Sequence, residues 1–344
     1  MNPYISDILA QPDALRKTVN NFSLHSLVSI RKRLNNGDFD RIIITGMGAS
    51  YNAAYPAYLE LCRQSVPVML LNAAELIHYM DQMIGTHTLL WANSQSGRSV
   101  ELLRLLERIE SAPPACLLTC VNDEVSPLAS ASDVYLPIHA GSETTVSTKT
   151  YTNTLAVNLL TAHFLTGNNV EAIKKEMLFT ADGMEIYLAD WQNHVSTLNT
   201  LLGEFKTLIL TGRGASMAAV WNGALINKEA AKYPLEGMNA ADFRHGPMEL
   251  VSPGFSALMF AGSAATTELN LRLASEIVKH NGRAFLINTK TNPELPTILI
   301  PGTSENVRPL AEILPMQILT LVLADRKNIM AGQFRIVGKV TEVE

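Results

Sequence analysis

The sequence predicts an α/β protein of two tandem domains, each a doubly wound parallel sheet flanked by helices. Three observations lead there. The chain has 344 residues, 47% hydrophobic and 17% charged, about twice the usual size of one domain and apolar enough for two cores. It also repeats itself: Ile42-Ile43-Ile44-Thr45-Gly46-Met47-Gly48-Ala49-Ser50 returns as Leu208-Ile209-Leu210-Thr211-Gly212-Arg213-Gly214-Ala215-Ser216, 166 residues on. Finally, its short apolar runs lack the alternation of half-buried strands and are separated by helical patterns, as in βαβ units whose strands are covered on both faces.

The repeat continues past the glycine turn. Pro67 returns as Pro234, Asn72-Ala73-Ala74-Glu75 as Asn239-Ala240-Ala241-Asp242, and His78 as His245, now 167 residues apart. One residue of drift over that span marks two copies of one domain. Taken in order, residues 1–35 read as a helical segment packed on the first domain. That domain covers 36–190, with strands expected at 41–45, 66–71, 88–92, 115–120 and 134–137. A helix is expected from Ser99 to Ile109, with Val100, Leu103 and Leu106 on its apolar face. The uncharged stretch from Thr150 to Val170 is interrupted by Asn153, Asn158, Thr161 and His163, so it reads as a buried helix and not a membrane span. Residues 171–202 read as helical and join the lobes. The second domain, with a C-terminal tail, covers 191–344, and its strands are expected at 206–211, 256–261, 283–288 and 297–300.

Composition excludes several classes of partner. The net charge is −5 and no Lys/Arg run stands out, so no nucleic-acid footprint is expected. The first residues, Met1-Asn2-Pro3-Tyr4, have neither the basic flank nor the apolar run of a signal peptide. The cysteines are few and odd in number, Cys62, Cys116 and Cys120; the last two lie on one side of an expected strand and read as core residues, and the setting as reducing and cytoplasmic. Apart from His78 and His245, the histidines (His25, His87, His139, His163, His194 and His280) show no metal-ligand spacing. The two glycine turns are not dinucleotide fingerprints, because Tyr51 and Met217 stand where GxGxxG needs its third glycine. No metal and no cofactor are expected.

In such sheets ligands sit beyond the carboxyl ends of the strands. There the sequence places Ser94-Gln95-Ser96-Gly97-Arg98-Ser99, between a strand and a helix. Unpaired N–H groups and the helix dipole suit a phosphate dianion, and the hydroxyls and amide add donors. The same residues equally suit a plain N-cap with a polar turn. The matching point of the second copy, Ala261-Gly262-Ser263-Ala264-Ala265-Thr266, has fewer donors, so one phosphate site per chain is expected. Ser50 stands in the first glycine turn as a donor to a sugar or phosphate oxygen, or as simple turn geometry. Glu229 lies among Ala224, Leu225, Ala230 and Ala231, an apolar setting in which a carboxyl becomes a proton shuttle, with a solvated Glu as the plain alternative. His245 precedes Gly246-Pro247 on a loop. The Thr-rich segment Gly141 to Lys149 follows a strand at the ligand end, and the charged tail carries Arg335 and Lys339.

Taken together these motifs resemble the sugar isomerase (SIS) family, and within it the isomerase half of the glucosamine-6-phosphate synthases. Ser94-Gln95-Ser96-Gly97 is similar to the family's phosphate loop, with Ser99 at the following hydroxyl position, and Ser50 falls on a substrate-contacting serine. Glu143 to Lys149 resembles a TExxxxSTK-like segment, one residue shorter. Lys228-Glu229 lies sixteen residues before His245, and Lys339 lies five residues from the end of the chain, both as in the family.

The resemblance implies that Ser94, Gln95, Ser96 and Ser99 hold a 6-phosphate, with Ser50, Glu143 and Val146 also contacting substrate. It implies that Glu229 moves a proton between C1 and C2, that His245 assists ring opening from the neighbouring subunit of a homodimer, and that Lys339 meets the open-chain carbonyl. Two departures stand out: Ile226 replaces a lysine one turn before the glutamate, and Arg98 replaces a Glu in the phosphate loop, where it would admit an anionic substrate group. Met1 is followed by Asn2, without the Cys nucleophile of a glutaminase, so the expected chemistry is deamination of an amino-sugar 6-phosphate or cleavage of an Amadori-type sugar–amine 6-phosphate. The alternatives are a non-catalytic sugar-phosphate sensor and a synthase subunit served by a glutaminase in trans.

Overall fold

The computed structural model describes residues 2–336, 338 and 339. Helices α1 (Pro3–Leu9), α2 (Gln11–Asn21) and α3 (Leu27–Asn35) come first. The first sheet follows, from β1 (Arg41–Gly46), β2 (Val68–Asn72), β3 (Thr88–Ser94), β4 (Cys116–Val121) and β5 (Val134–Pro137), connected through α4 (Gly48–Leu61), α5 (Ala73–Tyr79), α6 (Val100–Ser111) and α7 (Pro127–Ser130). Then come α8 (Lys149–Leu165), α9 (Val170–Ala189) and α10 (Trp191–Leu202). The second sheet uses β6 (Thr207–Gly212), β7 (Glu236–Asn239), β8 (Phe255–Phe260), β9 (Arg283–Asn288) and β10 (Thr297–Leu299), with α11 (Met217–Ala231), α12 (Ala240–Phe243) and α13 (Ala264–Lys279), and α14 (Pro309–Arg326) closes the series.

Both sheets are parallel and share one strand order, β2-β1-β3-β4-β5 and β7-β6-β8-β9-β10. The repeated motifs fall in the same register, Gly46 beside Asn72 in the first sheet and Gly212 beside Asn239 in the second. β7 had no apolar run to announce it. Its Glu236-Gly237-Met238-Asn239 forms an edge strand, and Gly237 is required because a Cβ there would lie 2.7 Å from Val220 O.

The chain divides into two compact units. One holds Asp13–Leu178 and the described tail residues from Arg335 on; the other holds the residues up to Pro12 and Phe179–Phe334. The expected N-terminal segment of 1–35 is therefore split. α1 belongs with the second sheet because Tyr4 is fully buried there, its hydroxyl accepting from Thr320 Oγ1 at 3.1 Å, and because Gln11 and Gln317 exchange amide hydrogen bonds of 2.7 and 2.9 Å. The division between the units falls inside α9, ahead of the expected 190/191 boundary.

In the first unit, α8 is buried from Thr150 to Leu165. Two of its asparagine amides are partnered: Asn153 Nδ2 donates to Thr18 Oγ1 at 2.6 Å, and Asn158 Nδ2 to Asn93 Oδ1 at 2.8 Å, while Oδ1 of each has no hydrogen-bond partner. On α6 the core face is Leu102, Leu105 and Ile109, with Val100, Leu103 and Leu106 half-buried, so the buried stripe is rotated from the expected one. Cys116 and Cys120 are buried in β4, where desolvation pushes the Cys116 thiol up to about 11 and the Cys120 thiol higher still, so both are inert packing residues. Among the described residues no helix is long and apolar enough to cross a membrane.

Candidate functional site

In the first unit, β1, β3, β4 and β5 deliver their following loops to one end of the sheet. β3 ends on Ser94, which is buried, and Ser94 Oγ accepts the Gly97 N–H at 2.9 Å. Ser96 Oγ accepts the Arg98 N–H at 3.2 Å. Both hydroxyls thus spend a lone pair on the turn and keep their O–H to donate. Gly97 has φ +63°, and a Cβ there would fall 2.2 Å from Ser126 Oγ, so only glycine fits.

Ser99 is the N-cap of α6, a helix of 12 residues, yet its side chain makes no capping hydrogen bond. Ser99 is thus the N-cap by position, with a hydroxyl that the helix itself does not use. Its hydroxyl stands at the start of the helix, where first-turn N–H groups lack helical carbonyl partners, although the Leu102 N–H is taken by Ser99 O at 3.0 Å.

The turn is held from below. The Asn122 N–H donates to Gln95 O at 3.2 Å, while its side chain accepts from Ala140 N and donates to Gly141 O, both at 2.9 Å. Asn122 thus ties the serine turn to the loop after β5. Arg98, expected to admit an anion, instead pairs with Asp123 at 3.1 Å and donates to Val125 O at 3.3 Å. It clamps the turn to the next loop. Neither role was visible in the sequence, because both depend on which loops the sheet order makes neighbours. Ser50 is half-buried in the first turn of α4, beyond β1, the strand paired with β3.

Glu143 and Lys339 are brought together. The Glu143 side chain is fully buried, and Lys339 Nζ donates to its Oε2 at 2.7 Å and to Thr145 O at 2.7 Å. Glu143 Oε1 accepts the N–H and hydroxyl of Thr148 at 2.9 Å each and the Thr150 N–H at 3.2 Å, and Oε2 accepts the Thr150 hydroxyl at 2.6 Å. Five donors saturate the carboxylate, which leaves it no lone pair for the expected substrate contact. Val146 is fully buried as well, main chain included.

In the second unit, Glu229 lies half-buried in the last turn of α11, and Lys232 Nζ donates to its carbonyl. Lys228 pairs with Glu236 at 2.8 Å. Ile226 is fully buried, so α11 uses that position for packing. His245 is exposed on the turn after α12.

The counterpart of the serine turn follows β8. There Ser263 is the N-cap of α13, and Glu305 Oε1 accepts the Ala264 N–H at 2.8 Å. The protein's own carboxylate stands at this helix start. The glycine turn before α11 also carries a contact that the sequence did not reveal: Ser216 Oγ donates at 2.8 Å to Glu312 Oε1, a carboxylate only 1% exposed.

A family model described as the SIS domain matches residues 38–164, the span that carries the first sheet. The chain is 30% identical over 316 residues to an isomerizing glutamine–fructose-6-phosphate aminotransferase of Pyrococcus horikoshii, covering 89% of this chain and 52% of that protein. It spans about half the length of the curated relatives it matches. Among solved structures, the C-terminal domain of a glucosamine-fructose-6-phosphate aminotransferase from Francisella tularensis superposes with a TM-score of 0.85 at 21% identity, covering 97% of this chain and 98% of that one. A tagatose-6-phosphate ketose/aldose isomerase from Escherichia coli gives 0.81 at 19% identity, over 97% and 96%. At these identities the structures speak for the fold.

Proposed function

The chain carries a SIS domain and is homologous to the isomerase part of the fructose-6-phosphate aminotransferases, and from that premise we propose that it is an enzyme acting on an amino-sugar or sugar–amine 6-phosphate. The reaction begins with a proton moved between C1 and C2 of the open-chain sugar. It ends when water hydrolyses the resulting imine: the C–N bond breaks, water supplies the new carbonyl oxygen, and ammonia or the Amadori-type amine leaves. The observation that carries the reading is the serine turn: hydroxyls of Ser96 and Ser99 with an O–H to give, at the start of a long helix, on a loop that only Gly97 can make. A dianionic 6-phosphate is the ligand that this donor set satisfies.

The residue roles follow the family resemblance. Ser94, Gln95, Ser96 and Ser99 hold the phosphate, Glu229 carries the proton, Lys339 meets the carbonyl side of the open chain, and His245 serves the site of a neighbouring copy. We read the second sheet as a second SIS domain, supported by the shared strand order and by the register of the repeated Gly and Asn positions.

The test is a panel of glucosamine 6-phosphate, fructose 6-phosphate with ammonia, and fructosyl-amine 6-phosphates, with ammonia, free amine and hexose phosphate measured for each. On the substrate that turns over, Glu229→Gln keeps shape and hydrogen bonding but removes the base. It should lower kcat by about 10²–10⁴-fold, leave KM within a few-fold and abolish solvent deuterium exchange into the sugar. Deuterium exchange at the native rate would assign Glu229 a structural role. Binding of 6-phosphates without turnover of any would replace the enzyme by a sugar-phosphate sensor.

A further inference from the structure

We propose that Glu143 is the positioning residue of Lys339: it fixes the tail lysine as a charged donor at the end of the first sheet and does not itself touch substrate. That Lys339 serves the chemistry rests on the function proposed above; that Glu143 holds it does not. The contacts divide by oxygen. Oε1 takes three donors from Thr148 and Thr150, which close the loop after β5 on itself. Oε2 takes the Thr150 hydroxyl and, from a residue 196 positions away, the Lys339 ammonium.

The neutral donors of the loop satisfy the oxygens of Glu143 but not its charge. The side chain is fully buried, and a buried carboxylate is costly unless a cation meets it. Lys339 supplies that charge and is in turn aimed by it. Two of its three N–H groups are committed, to Glu143 Oε2 and Thr145 O, and both acceptors sit on the same loop. The third is left to point elsewhere. An ammonium on a flexible four-carbon stem is a poor positioning device by itself. Held at two acceptors of 2.7 Å, it becomes a fixed one.

The test uses the full chain and two independent variants. Glu143→Gln keeps an acceptor for Thr148 and Thr150 but loses the charge that holds the lysine. Amine acetylation with a small reagent, read by peptide mass spectrometry, should then label Lys339 at least threefold faster than in the native protein, with exposed Lys290 unchanged as the internal reference. Lys339→Gln leaves the loop contacts of Glu143 in place, so it answers the question even if Glu143→Gln folds poorly. It should speed tryptic cleavage after exposed Arg335 by a similar factor.

Where turnover is measurable, Glu143→Gln should lower kcat about tenfold or more with phosphate affinity within twofold, and the double variant should be no slower than Lys339→Gln alone. Unchanged Lys339 labelling in a folded Glu143→Gln protein, unchanged cleavage in Lys339→Gln, or multiplying kinetic losses in the double variant would each overturn the proposal. Loss of labelling protection without any catalysed reaction would leave the clasp standing and remove only the enzyme reading.

Discussion

Glu312 places a carboxyl where water does not reach. Burial pushes it from its ordinary 4.5 up to about 7, against the Ser216 hydrogen bond and the Arg308 charge, which pull it down, and its second oxygen has no hydrogen-bond partner. The folded chain therefore binds more protons than the unfolded chain between those two values, so stability falls as pH rises through that window. The displacement corresponds to on the order of 3 kcal/mol. Glu312→Gln, permanently neutral and still able to accept from Ser216, should match the native melting temperature near pH 5, exceed it at pH 8 and flatten the profile between. Superimposable profiles for the two proteins would mean that Glu312 does not titrate there. At the serine turn, Ser96→Ala and Ser99→Ala each remove a donor to a dianion, a contact of about 1.5–3 kcal/mol. Titration calorimetry should show affinity for sugar 6-phosphates falling about tenfold or more, with the unphosphorylated sugar little changed; equal losses for both ligands would sink the phosphate assignment. The serines were legible because their signal is local, three hydroxyls between a strand and a helix. The saturation of Glu143 was not, since its partner lies at the far end of the sequence.

The strands show the same divide between local and distant information. Those buried on both faces were readable as apolar runs to within two residues at each end. β7 has no such run, and no strand was expected there. The face of α6 was misplaced because its amphipathic stripe is broad: Leu102 and Leu103 are adjacent, and only packing decides which of them turns inward. Comparing α6 with α13 leads to a prediction about elements. α6 begins on the uncommitted Ser99 hydroxyl, whereas α13 begins on the Glu305 carboxylate. Added phosphate should therefore raise hydrogen-exchange protection at the end of β3 and the first turn of α6 and leave the end of β8 and the first turn of α13 unchanged. Equal protection at both helix starts would show that Glu305 does not close the second one.

For the molecule as a whole, the length and the internal repeat were enough to anticipate two sheets of one topology. Activity that depends on a dimer is a prediction at this scale. His245 is exposed on its own chain, free to serve a neighbour. Mixing Glu229→Ala with His245→Ala protein should restore part of the activity, because one hybrid site then receives both intact residues. A strictly monomeric and active protein, by sedimentation, would rule this out. The described ends of the chain cross over in membership: residues 2–12 belong with the second unit, and residues 335, 336, 338 and 339 with the first. A single cut between the sheets would therefore not release two whole domains. The first fragment would carry off Tyr4 and lack Lys339, and the second the reverse, so neither unit can be excised, swapped or transplanted as a continuous stretch of sequence.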